Sequence, residues 1–114
     1  MAKRRQRRRK EALATSGYSD PEGNVLVLRQ ELSRGSIRKI GERPSSAAAS
    51  LEDAWARREE TLFERLAVSW TIAGLPLDDQ KMLLARYRMA SAAEKRWVRE
   101  TIAAHLEQFL PELA

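Results

Sequence analysis

The sequence predicts a mainly α protein, in which a compact three-helix unit follows a disordered basic arm and a short irregular or β-hairpin segment. Two observations carry this prediction. Apolar residues recur at helical spacing through the second half of the 114-residue chain, and seven of the first ten residues are Lys or Arg. The chain has no cysteine, so disulfides and thiolate metal sites are excluded.

The basic arm is assigned to residues 1–20. Seven cations face only Glu11 and Asp20, which gives the arm a net charge of +5. Residues 21–50 have a net charge of +2, from five cations and three acids. Residues 51–114 have a net charge of −2, from nine cations and eleven acids. Without apolar periodicity and with this self-repulsion, we expect the arm to be disordered until an anion neutralises it.

Residues 21–41 are predicted to form a short hairpin or an irregular segment. The stretch YSDPEGN at 18–24 is rich in turn-forming residues, and the short apolar runs VLVLRQEL and IRKI lie on either side of Gly35. Leu28 and Leu32 are four residues apart, so the same letters also permit a short helix. Residues 42–50, with one Pro and three Ser, are predicted to be a linker.

The first helix is predicted over residues 51–73. Ser50 and Asp53 have the spacing of a capping box, and Gly74 with Pro76 would end the helix. Residues 62–72 are apolar on nearly every helical face, so we expect other helices or a partner to enclose them. The predicted core positions are Leu51, Trp55, Leu62, Leu66, Trp70 and Ala73.

Two further helices are predicted over residues 79–89 and 92–110. Asp78 is expected to cap the first, and Ser91 with Glu94 forms a clear capping box for the second. Pro111 ends the last helix. Short joints force the three helices to pack together, so residues 51–114 are predicted to be one domain.

The candidate chemical groups favour structural roles. His105 is the only histidine and has no carboxylate or second histidine at metal-binding spacing. The glutamates at 59, 60 and 64 have arginines beside them on the same helix, as solvated ion pairs do. There is no glycine-rich phosphate loop. We therefore predict no catalytic site, no metal, no cofactor and no enzymatic activity.

The predicted function is non-enzymatic nucleic-acid association, because dense positive charge complements phosphates without reading base sequence. The alternative is a helical adaptor or regulator that docks on another protein through the apolar face of residues 62–75. A protein partner or a homodimer fits either hypothesis, since so small a core gains from further burial. The predicted phosphate-binding residues are Lys3, Arg4, Arg5, Arg7, Arg8, Arg9, Lys10, Arg34, Arg38 and Lys39.

The sequence also predicts a cytoplasmic protein, or a nuclear one if the cell is eukaryotic. The basic start is not followed by the apolar stretch of a secretory signal. No run of about 18 apolar residues is present, so no transmembrane segment is expected.

Overall fold

The chain folds as a mixed α and β protein rather than as the predicted three-helix unit. The computed structural model describes residues 14–41 and 51–114. Four strands form one antiparallel sheet in the order β1-β2-β3-β4. The elements in chain order are β1 (Thr15–Ser19), β2 (Val25–Arg29), α1 (Arg34–Gly41), α2 (Leu51–Leu66), β3 (Ala67–Ile72), β4 (Leu75–Leu77), α3 (Gln80–Arg88), α4 (Ala92–Phe109) and a 3-10 turn (Pro111–Leu113).

The predicted helix over 51–73 is wrong from residue 67 onwards. Helix α2 ends at Leu66, and residues 67–72 continue directly as β3, which lies between β2 and β4. Val68, Thr71 and Ile72 are β-branched, which weakens a helix and favours a strand. The enclosure that the apolar run needs comes from the neighbouring strands and the helices above them. Gly74 lies in the turn between β3 and β4 and does not end a helix.

One row of side chains across the sheet forms the floor of the core. Tyr18 pairs with Leu26, Leu26 with Trp70 and Trp70 with Leu77, one residue from each strand. Leu26 and Trp70 are buried, while Tyr18 and Leu77 are partly buried against the core. Directly opposed residues point to the same face of a sheet, so this row supports the helices. The helices contribute these buried side chains to the core: Ile40, Leu62, Phe63, Leu66, Leu83, Tyr87, Val98, Ile102 and Leu106.

A β-bulge adjusts the pairing where α2 becomes β3. Val27 pairs with Ser69, but Leu28 pairs with Ala67, so Val68 is the extra residue on β3. A bulge of this kind bends the strand and increases its twist. It lets Ala67 be buried directly after Leu66, with no loop between the helix and the strand.

The predicted pairing of residues 25–32 with residues 37–40 is also wrong. The partner of β2 is Thr15–Ser19, which the prediction had assigned to the arm, and residues 34–41 form helix α1. Ser33 begins that helix because its hydroxyl oxygen accepts the backbone N–H of Ser36 at 3.1 Å. Ile37 and Ile40 are three residues apart, which brings both to the helix face that contacts the core.

Two turns at one end of the sheet are joined by a side chain. In the β1–β2 turn, the Asp20 carboxylate accepts the backbone N–H groups of Glu22 and Asn24 at 2.8 and 2.9 Å. The Asn24 side-chain oxygen then accepts the backbone N–H of Ala73 in the β3–β4 turn, at 3.0 Å. Asn24 therefore ties the two hairpins together.

The β3–β4 turn contains a residue that the backbone does not suit. Ile72 pairs with Leu75 across Ala73 and Gly74, whose φ angles are 51° and 78°. Positive φ at both positions is typical of a type I′ turn, which favours Asn-Gly.

We expect Ala73→Asn to raise the free energy of unfolding by about 0.5–1 kcal/mol. Urea unfolding measures this change. The control is Ala104→Asn, at an exposed position of α4, where asparagine should lower the free energy of unfolding by about 0.5 kcal/mol. Equal effects of the two substitutions would rule out relief of backbone strain.

The predicted start is confirmed for the last helix and is wrong by one residue for the helix before it. The capping box at Ser91 is confirmed: its hydroxyl accepts the Glu94 N–H at 3.1 Å, and the Glu94 carboxylate accepts the Ser91 N–H at 3.0 Å. Helix α3 begins after Asp79 rather than Asp78, without a side-chain cap. The linker predicted over 42–50 lies outside the described residues. Over 14–41 and 51–114, no helix has the length and apolarity needed to cross a membrane.

Candidate nucleic-acid interface

A polar cleft of about 520 Å³ opens where β2, α1, α2 and α3 meet. Two arginines reach it from different elements: Arg29 from the end of β2 and Arg65 from the last turn of α2. Glu31 is the only acid in its lining, so the two guanidinium groups leave the cleft net positive. Its remaining lining residues are Leu32, Ser33, Ser36 and Gln80.

Helix α1 extends the positive surface away from the cleft. Of the residues predicted to bind phosphates, Arg34, Arg38 and Lys39 all lie on this helix and are exposed. Arg34 and Arg38 are four residues apart and so share one helix face. The helix contains no acid, and its first residue follows the cleft residue Ser33 directly. The other predicted residues, Lys3 to Lys10, lie outside the described part of the chain.

The chain enters the fold beside this cleft. Ala14 is the first described residue, and its carbonyl oxygen accepts the backbone N–H of Gln30 at 3.0 Å. The Gln30 side chain holds the same segment, donating to the Thr15 carbonyl at 3.2 Å and to the Ser16 hydroxyl at 2.9 Å. Thr15 pairs with Arg29. Only three residues, 11 to 13, lie between the last arm cation, Lys10, and Ala14 in the sequence.

A buried histidine fixes the backbone of Arg29. His105 is fully buried, and its Nε2 lies 2.7 Å from the Arg29 carbonyl oxygen. That oxygen can only accept, so Nε2 carries the proton, and Nδ1 accepts from the Tyr18 hydroxyl at 2.6 Å. Both ring nitrogens are therefore satisfied inside the core. The arrangement supports a structural role for His105, joining α4 to β1 and to the cleft end of β2.

The burial of His105 predicts a pH dependence of stability. Burial lowers the pKa of His105, and the hydrogen bond to the Arg29 carbonyl offsets this only in part. The folded protein therefore keeps the ring neutral, whereas the unfolded chain protonates it near pH 6.5. Stability from this group is fully present above about pH 6.5 and falls as the pH decreases, by at most about 1.4 kcal/mol per pH unit.

The measurement is urea unfolding between about pH 8 and pH 5. His105→Gln is the matched variant, because its amide can donate to Arg29 and accept from Tyr18 but does not titrate in this range. We expect the wild type to lose more stability than this variant as the pH falls. Parallel pH profiles would contradict the buried, neutral histidine.

Sequence reasoning missed two residues of the basic cleft, Arg29 and Arg65. They are 36 positions apart, and they line the same cleft only because β2 pairs with β3, which follows α2 directly. Arg65 lies next to Glu64 in a helix of mixed charge, where nothing in the local pattern distinguishes it. Arg29 ends an apolar strand, a position that signals a loop rather than a site. No local signal could have found the pair.

The other groups considered from the sequence take structural positions. Glu59 pairs with Arg99 at 2.8 Å, and Glu60 with Arg88 at 2.7 Å. Trp70 is in the core, with the Arg86 guanidinium 5.2 Å from its ring centre. Within the described residues, no three His, Asp or Glu side chains lie together as metal ligands.

No known protein family, characterised protein or solved structure matches this chain.

Proposed function

We propose that this protein associates with nucleic acids as a non-enzymatic binding protein, gripping the phosphate backbone without reading base sequence. The arm cations Lys3 to Lys10 supply most of the charge, and α1 with the cleft supplies a fixed surface beside them. The observation that carries the proposal is the hydrogen bond between Ala14 and Gln30. Because of it, Ala14, which follows the arm cations in the sequence, lies at the Arg29 end of β2 instead of at the far end of the sheet.

The chemistry of the cations favours phosphate as the partner. Five of the seven arm cations and both cleft cations are arginines. A guanidinium group presents paired N–H donors that match two oxygens of a phosphate. Ser36 also lines the cleft, where its hydroxyl accepts from the Ser33 hydroxyl at 3.2 Å and keeps its own proton for donation, and serine hydroxyls are common phosphate donors. Contacts of this type fix a backbone without selecting a base, which supports binding that is independent of sequence.

The salt dependence of binding tests the contribution of α1. Anisotropy with a labelled random-sequence oligonucleotide, measured from about 50 to about 200 mM salt, gives the slope of log affinity against log salt concentration. We expect Arg38→Gln to reduce this slope by about 1, because one phosphate contact is lost. Arg96→Gln, an exposed arginine of α4 that does not line the cleft, is the matched control and should leave the slope unchanged.

Two results would contradict the proposal. The first is the absence of binding even at about 50 mM salt, where counterion release is most favourable. The second is an equal change of slope for Arg38→Gln and Arg96→Gln, which would mean that net charge alone, and not the surface of α1, determines the affinity.

The alternative function, an adaptor that docks through residues 62–75, has less support. Leu62, Leu66 and Trp70 are buried within this chain's own core, so they are not available to a partner. Leu75 is the large apolar residue of that stretch that is exposed, with 74% of its surface accessible to solvent. A single exposed leucine is ordinary on a protein surface, so the geometry favours phosphate binding.

A further inference from the structure

A second cavity, separate from the basic cleft, lies between α2, α3, α4 and the C-terminal turn. Its volume is about 290 Å³. Its floor is built from Leu62, Ile102, Leu106 and Leu113, all of them buried residues of the core. None of the residues proposed to bind phosphate lines it. An apolar floor of this kind attracts compact apolar molecules, as ligand pockets in proteins do.

Tyr87 contributes a hydrogen-bond donor to the lining of the cavity. The residue as a whole is only 4% exposed, but its hydroxyl stays accessible and makes no hydrogen bond to another residue in the described part of the chain. Its ring is held in place by stacking on Phe63, with ring centres 4.7 Å apart and planes at 16°. Burial and the neighbouring Glu59 raise the pKa of Tyr87, so the hydroxyl stays protonated and can donate a hydrogen bond.

The charges around the mouth are balanced. Glu59 and Arg99 form an ion pair at 2.8 Å across α2 and α4, and Arg58 donates to the Leu113 carbonyl at 2.6 Å. With Glu107, the lining contains two arginines and two glutamates. These four side chains cancel one another's charge, so they give no net attraction to an anion or a cation, in contrast to the side chains of the basic cleft.

We propose that this cavity is a binding site for a compact, uncharged ring compound with one hydrogen-bond acceptor, which lies on the aliphatic floor and accepts a hydrogen bond from the Tyr87 hydroxyl. The size fits this class, because a cavity of about 150 Å³ lined by Leu, Ile and Phe holds benzene. A volume nearly twice as large admits two fused rings or one substituted ring. The site is independent of the proposed nucleic-acid function.

The test uses three probes of similar shape: acetylnaphthalene, which is uncharged and has a carbonyl acceptor; naphthalene, which has no acceptor; and naphthoate, which is an anion. Methyl NMR spectra of the full chain report on the floor through Leu62, Ile102 and Leu106. We expect saturable shifts at these methyl groups with both uncharged probes, tighter binding of acetylnaphthalene than of naphthalene, and the weakest binding for naphthoate.

Substitutions at the site make the test specific. Tyr87→Phe keeps the ring and removes the donor, so it should weaken acetylnaphthalene binding by about 2- to 10-fold and leave naphthalene binding unchanged. Ala103→Phe fills the cavity and should abolish binding of both probes. Ala104→Phe is the matched control, since Ala104 is exposed on the same helix but does not line the cavity, and it should retain binding.

Thermal unfolding establishes that each variant is folded before its binding is interpreted. The proposal is overturned if the wild-type floor methyl groups show no saturable shift, or if naphthoate binds as tightly as acetylnaphthalene. It is also overturned if Tyr87→Phe weakens the two uncharged probes equally, or if Ala103→Phe and Ala104→Phe behave alike.

Discussion

Replacing Trp70 with alanine is expected to lower the free energy of unfolding by about 3–5 kcal/mol. Trp70 is 1% exposed, pairs with Leu26 at the centre of the sheet and meets Phe63 edge to face, with ring centres 5.7 Å apart. Its removal leaves a cavity under α2 and α3 and deprives Arg86 of the ring that it covers. The total free energy of unfolding of a domain of this size is about 5–15 kcal/mol. The variant should therefore be only marginally stable. Chemical denaturation followed by circular dichroism measures the loss.

Trp97→Ala is the matched control for that substitution. Trp97 is partly buried at the margin of the core on α4, so we expect less than half the loss seen for Trp70→Ala. The comparison separates the observed sheet from a three-helix unit, in which both tryptophans would lie on equivalent apolar stripes. Equal losses for the two variants would therefore contradict the central position of Trp70 in β3.

Deleting residues 2–12 is expected to have the largest effect on nucleic-acid binding. The deletion removes all seven arm cations and leaves β1 intact. If each cation neutralises one phosphate, the salt slope should flatten by up to about 6, and affinity near 50 mM salt should fall on the order of a hundredfold or more. Anisotropy with the same random-sequence oligonucleotide measures both quantities.

A chain of the same length with glutamine at the seven arm positions is the control for that deletion. It should lose affinity as the deletion does, because charge and not chain length is responsible. The free energy of unfolding should change little in either variant. If the deletion and the glutamine variant both kept the wild-type salt slope, the arm would have no part in binding.

The sequence predicted the fold well only where the signal is local. The capping box at Ser91 satisfies two backbone N–H groups with side chains three residues apart, so the start of α4 can be read without knowledge of the rest. Residues 62–72 are different, because an unbroken apolar run is compatible with a buried helix and with a central strand. The pairing of Leu26 with Trp70, which spans 44 positions, settles the choice in favour of a strand.

The candidate site also has one part that the local sequence predicts and one part that depends on distant pairing. A dense run of cations such as KRRQRRRK indicates an anionic partner from composition alone. Where the fixed part of the surface lies depends instead on β1, whose pairing with β2 brings Thr15 beside Arg29. The polar, glycine-containing strand TSGYS has little apolar content of its own, and it becomes a strand because β2 offers it a complete ladder of backbone partners.

Backbone amide NMR spectra of the full chain, recorded during titration with a random-sequence oligonucleotide, test most directly whether the arm and the cleft contact one phosphate backbone. We expect the amides of Arg29, Ser36, Arg38 and Arg65 to shift together with those of the arm, with one common binding curve. Shifts confined to the arm, or shifts on α4 while the cleft amides stay unchanged, would contradict a single surface at this end of the sheet.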